Sequence, residues 1–103
     1  MPEFVRIAAK SELPPPGEAR EFDAGGTMIC VVNDNGAISA LDNQCLHRGA
    51  PLGQGGVVAE GRLICPWHAW AWDPRTGACG HNPEVRLHVY PVRIEGDDVL
   101  VEI

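Results

Sequence analysis

An all-β fold, barrel or sandwich, is predicted by three features of the chain. Short apolar stretches alternate with polar residues at the two-residue period of a strand. Turn pairs such as Asn35-Gly36 and Glu60-Gly61 stand between those stretches. Twelve glycines and nine prolines are spread over 103 residues, and no stretch is long enough for a βαβ nucleotide-binding unit.

The elements follow in order. EFVRIA near the start has strand character, and AAKSELPPPG allows one helical turn that Pro14, Pro15 and Pro16 end. TMICVV and AISALD flank NDNG, where Asn35-Gly36 suits a tight hairpin because both central residues need positive φ. VVAEGRLIC reads as a second hairpin around Glu60-Gly61. WAWDPRTGAC breaks at Pro74 and closes at Gly77. In the last hairpin Tyr90, Val92 and Ile94 alternate with Pro91 and Arg93, EGDD turns the chain, and Val99, Val101 and Ile103 alternate with Leu100 and Glu102. One stretch departs from the pattern. From Cys45 to Gly56 it holds Gly49, Pro51, Gly53, Gly55 and Gly56 with little alternation, a composition that brings backbone close to something.

A chain of this length makes one small domain, to which a bound cofactor would add stability. Eight basic against fourteen acidic residues give a formal charge of −6. That charge argues against nucleic acid or an anionic membrane as partner and suits a soluble protein with a basic partner. Between Cys45 and Trp72 the only charges are Arg48, Glu60 and Arg62, so the acidity lies elsewhere. No signal peptide or membrane-length apolar run is present, and a cytoplasmic location is expected. In a reducing compartment four cysteines suit thiols or metal ligands better than disulfides.

Cys45 and His47 are separated by one residue, Cys65 and His68 by two, and seventeen residues lie between the pairs. Two thiolates and two imidazoles suit tetrahedral zinc. They also suit a [2Fe–2S] cluster in which one iron takes both cysteines and the other both histidines. Zinc sites tend to open with a cysteine pair, close with a histidine pair and place one pair on a helix. Here each loop offers one ligand of each kind and neither lies on a recognisable helix, so the spacing favours the cluster.

CLHRGAPL followed by LICPWHAWAWDPRTG resembles the Rieske iron–sulfur domain, whose ligand loops read Cys-x-His-x-Gly and Cys-Pro-x-His. The resemblance extends through Asp73, Thr76 and Gly77 to the closing YPVRIEGDDVLVEI hairpin. It implies a single domain over 1–103, with an antiparallel β-sandwich base of 1–42 and 73–103 and a small inserted cluster-binding subdomain of 43–72. It implies one Rieske-type [2Fe–2S] cluster held by Cys45, His47, Cys65 and His68, and no catalytic residues. Two imidazoles in place of two thiolates remove two negative charges, so an added electron meets a neutral centre and the potential rises. Glycines in the ligand loops let backbone N–H groups share the charge gained on reduction. The free edges of His47 and His68 are the expected route for the electron.

Departures from the family pattern refine the expectation. Respiratory-type members carry an extra cysteine in each ligand loop, joined in a disulfide; Ala50 and Trp67 stand at those positions here. A hydroxyl donor after the second histidine is also missing, where Ala69 and Trp70 stand, and Ala69 replaces a common glycine. The chain thus resembles the low-potential ferredoxins of bacterial ring-hydroxylating dioxygenase systems. Such a protein is an electron-transfer component rather than an enzyme, passing one electron from a flavin-containing NAD(P)H-dependent reductase to a terminal oxygenase. The alternative is a small nitrite reductase subunit, with the sirohaem-bearing large subunit as partner. Oxygenase activity in this chain is not expected: a mononuclear iron needs two histidines and a carboxylate, and only His81 and His88 remain.

The other singled-out residues have plainer readings. Cys30 is expected as a core thiol, Cys79 as an unligated thiol, and His81 and His88 as solvated histidines. Trp72 is expected to pack in the core. Trp67, and more weakly Trp70, are candidates for capping the cluster or meeting a partner, and Arg48 for stabilising the reduced state or for plain surface charge.

Overall fold

The computed structural model describes residues 3–43, 52–65, 71–79 and 86–102. Among these described residues ten strands form three antiparallel sheets. The first joins β1 (Phe4–Ala9), β10 (Asp98–Glu102) and β9 (Val92–Glu95). The second runs in the order β2 (Ala19–Ala24), β3 (Thr27–Asp34), β4 (Ala37–Asp42) and β8 (Val89–Tyr90). The third joins β5 (Val57–Ala59), β6 (Arg62–Ile64) and β7 (Ala71–Trp72). The expected helical turn is a 3-10 turn over Lys10–Glu12, placed before the prolines.

β3 explains why the sheets are layered. A strand points successive side chains to opposite faces, and one buried on both faces reads as a continuous apolar run. MICVV does so. Ile29 and Val31, with Ala40 of β4 and Ala24 of β2, face the first sheet and meet Val101 there. Cys30 and Val32, with Leu41, face the other way into a core made with Leu52, Leu63, Cys65, Trp72, Cys79 and Leu87. The central sheet therefore has one core on each side. The first is the sandwich interior, and the second lies under the third sheet.

The tight turns form where the sequence places them. Asn35 and Gly36 have φ of 52° and 95°, and Glu60 and Gly61 have 53° and 75°, the left-handed pairing a two-residue hairpin turn requires. Asn33 braces the first of these by accepting the Gly36 N–H at 2.7 Å and donating to the Pro14 carbonyl at 2.9 Å. In the last hairpin Val99 and Val101 are buried, whereas Ile94, which pairs with Val99, is 40% exposed. β9 is an edge strand with β10 on one side alone, so its alternation does not guarantee cover.

Candidate metal centre

The second ligand segment leaves the fold at the end of a ladder. β6 and β7 pair in the register Leu63↔Trp72 and Ile64↔Ala71, and residues 66–70 connect them. Cys65 follows β6 directly. Its side chain is 2% exposed and packs in the same apolar core as Leu63, Trp72 and Leu52. Leu52 is the first described residue after segment 44–51. The end of one ligand-bearing segment and the start of the other thus meet in one core.

Of the four sequence-predicted ligands, Cys65 is described; Cys45, His47 and His68 lie outside the described residues, as do Arg48, Trp67, Trp70 and His81. The donor chemistry fits a cluster. A thiol held at a strand end by apolar packing presents its sulfur from a fixed position, and the pattern around it supplies one further thiolate and two imidazoles. Cys30 is buried, as expected for a core thiol, Trp72 is fully buried, and Cys79, expected as an unligated thiol, is buried as well. Burial, aided by the charge of Glu21, pushes the Cys30 thiol up to about 12, which disfavours its thiolate at neutral pH. His88 is exposed, with its ring edge-on to Tyr90 at 4.5 Å between centroids.

Two groups beside the site carry no signal that sequence reasoning used. The first fixes the end of β4. Asp42 donates its N–H to the His88 carbonyl and accepts the His88 N–H on Oδ2, both at 3.0 Å. The Tyr90 hydroxyl donates to Asp42 Oδ1 at 2.9 Å. Burial, then the Asp42 hydrogen bond and charge, push the Tyr90 phenol up to about 12. The second group is centred on Asn43, which is 6% exposed. It stands directly before segment 44–51 and bonds to Glu21 of β2. An asparagine after a strand and just before the ligand motif is a readable hint. Glu21, 22 positions away, gives none.

Residues 3–91 match the Rieske [2Fe-2S] domain family. The chain is 34% identical over 100 residues to the biphenyl dioxygenase ferredoxin subunit of Pseudomonas sp. (strain KKS102), covering 96% of this chain and 91% of that one. It is 40% identical over 86 residues to apoptosis-inducing factor 3 of Homo sapiens, covering 82% of this chain and spanning 14% of the length of that relative. Among solved structures, the ferredoxin of carbazole 1,9a-dioxygenase from Nocardioides aromaticivorans IC177 is similar with a TM-score of 0.82 and 35% identity, covering 98% of this chain and 96% of that one. A putative NADH-dependent nitrite reductase small subunit from Mycobacterium tuberculosis shares the fold with a TM-score of 0.88 at 22% identity, covering 100% and 96% of the two chains. The chain belongs to the Rieske [2Fe-2S] domain family, and its cofactor is a single Rieske-type [2Fe–2S] cluster. Among the described residues no helix is long and apolar enough to cross a membrane.

Proposed function

We propose that the chain is a Rieske-type ferredoxin, a one-electron carrier whose cluster is held by Cys45, His47, Cys65 and His68. The observation that carries this reading is the packing of Cys65 and Leu52 in one core, which draws together the ends of the two segments bearing all four donors. When bound, the cluster supplies a one-electron redox change with no bond made or broken in a substrate. The work of the chain is to hold the donors. β6 and β7 fix the second segment through their register, and apolar packing fixes the Cys65 sulfur and excludes water from it. Residues 43–72 serve as the cluster-holding part, on a base of 1–42 and 73–103.

The electron donor is a flavin-containing NAD(P)H-dependent reductase, the acceptor a terminal oxygenase, and the location cytoplasmic. The near-complete mutual coverage with the biphenyl dioxygenase ferredoxin subunit supports this partnership over that of a nitrite reductase large subunit, since the Mycobacterium relationship extends to the fold alone.

Iron, acid-labile sulfide and electron paramagnetic resonance test the proposal. Anaerobically purified protein is expected to hold two irons and two sulfides per chain and, once reduced, to give the rhombic signal of mixed Cys/His ligation. Alanine at any one of the four donors is expected to abolish it. A colourless protein with one zinc overturns the cluster, and copurification with a sirohaem chain overturns the oxygenase as acceptor.

A further inference from the structure

Segment 44–51 leaves β4 after Asn43 and returns at Leu52. A compact set of hydrogen bonds ties the residues on its two sides. The Asn43 carbonyl accepts the Leu52 N–H at 2.6 Å, and Asn43 Oδ1 accepts the Gly53 N–H at 2.9 Å. Asn43 Nδ2 donates to Glu21 Oε2. The other oxygen of the same carboxylate, Oε1, accepts from Gln54 Nε2 at 2.7 Å. One carboxylate of β2 thus holds a residue before the segment and a residue after it. Gly53 completes the closure. A Cβ there would lie 2.5 Å from both Glu21 Cγ and Glu21 N and 2.8 Å from the Arg20 carbonyl carbon, so the returning chain runs directly against β2.

The chemistry of the set dictates its residue types. A carboxylate only accepts, so it takes two amide donors at once, whereas a glutamine there would turn an NH₂ toward one of them. Asn43 is needed because it must donate to Glu21 and accept from Gly53 with one side chain. Aspartate or leucine cannot do both.

We infer that Glu21 and Asn43 are positioning residues, forming a clasp that sets the spacing between the two ends of segment 44–51 and so holds Cys45 and His47 in place relative to Cys65. The inference rests on the reading that Cys45 and His47 are cluster ligands. A clasp of this kind acts on retention and electronic environment, because partners that orient ligands typically change metal affinity by 10- to 100-fold when lost.

The test follows iron release from the cluster-loaded protein to a ferrous chelator under reducing conditions, alongside the resonance spectrum of the reduced form. Glu21→Gln, nearly the same shape, is expected to release iron about tenfold faster and to shift or broaden the spectrum. Asp98→Asn, whose side chain accepts from Arg6 on the first sheet, away from Glu21 and Asn43, is expected to match the parent. The double substitution Glu21→Gln with Asn43→Asp reverses which side chain donates while satisfying every group again, and is expected to restore the parent release rate. Should Glu21→Gln fail to fold, Gln54→Ala removes the exposed arm of the clasp and is expected to speed release about threefold.

Parent-like release and spectrum in folded Glu21→Gln, no rescue by the double substitution, or no acceleration in Gln54→Ala overturns the clasp. A parent chain without cluster, or a cluster that survives Cys45→Ala and His47→Ala, overturns the donor reading instead. The two failures are therefore distinct.

Discussion

The two segments that carry the proposed ligands are closed by different means. Segment 66–70 is bounded by a backbone ladder, with Ile64↔Ala71 and Leu63↔Trp72 in register. Behind it the turn over 73–77 is pinned by Gly77 N–H to the Asp73 carbonyl at 2.7 Å and Leu87 N–H to the Gly77 carbonyl at 2.8 Å. Among the described residues, the ends of segment 44–51 are joined by one backbone bond and by the side chains of Asn43, Glu21 and Gln54. A ladder tolerates many side chains provided the core face stays apolar, while a side-chain closure tolerates few and can be changed without unfolding the rest. The ladder side should govern global stability, the clasp side the environment of the cofactor.

Four substitutions break or sharpen that contrast. Gly77→Ala is expected to cost most. Its φ is +78° and a Cβ would stand 2.0 Å from the Leu87 carbonyl oxygen, so a loss of about 4 kcal/mol or more is expected in urea unfolding. Leu63→Ala empties a fully buried site beneath the ladder and should cost about 3 kcal/mol. Gly53→Ala crowds β2 without a left-handed φ and should cost about 2 kcal/mol. Were it to unfold the chain as readily as Gly77→Ala, the two closures would be equally global and the contrast would fail.

Tyr90→Phe, which removes the Asp42 hydrogen bond next to the clasp, should cost about 1 kcal/mol. It carries a pH signature. The phenol is raised from 10.0 to about 12 in the folded protein, so the neutral form is favoured on folding. Its stabilisation is complete below pH 10 and falls away as pH rises from 10 to about 12. Phenolate absorbance of this single tyrosine should show the late ionisation in folded protein and an ordinary one in denaturant. The alkaline loss of stability attributable to it should be missing in Tyr90→Phe.

What the sequence disclosed and what it withheld divide along range. The hairpin turns were legible because Asn35-Gly36 and Glu60-Gly61 signal their own φ values locally. MICVV was legible as a strand, and the double burial of Ile29 to Val32 follows from having no polar alternate, while Met28 at the start of the run is exposed. Cys30 was likewise placed in the core by apolar context, and Trp72 by the family resemblance. The pairing of β1 with β10, Phe4 against Glu102, has no local signature, since partners at opposite ends of a chain are chosen by the whole fold. Ile94 keeps the alternation of a covered strand yet lies at an edge. The Cys/His motif was visible in the sequence, though three of its four residues lie outside the described residues, whereas the Glu21–Asn43 pair was not. Nothing in AREFDA marks one glutamate as the partner of a residue two strands away.

The burial of Cys30 has a consequence for its reactivity. Its sulfur shares an apolar core with Cys65, yet with its thiol held at about 12 it offers no thiolate at neutral pH. Burial thus sets this sulfur apart in reactivity from an exposed cysteine, although it lies in the same apolar core as Cys65.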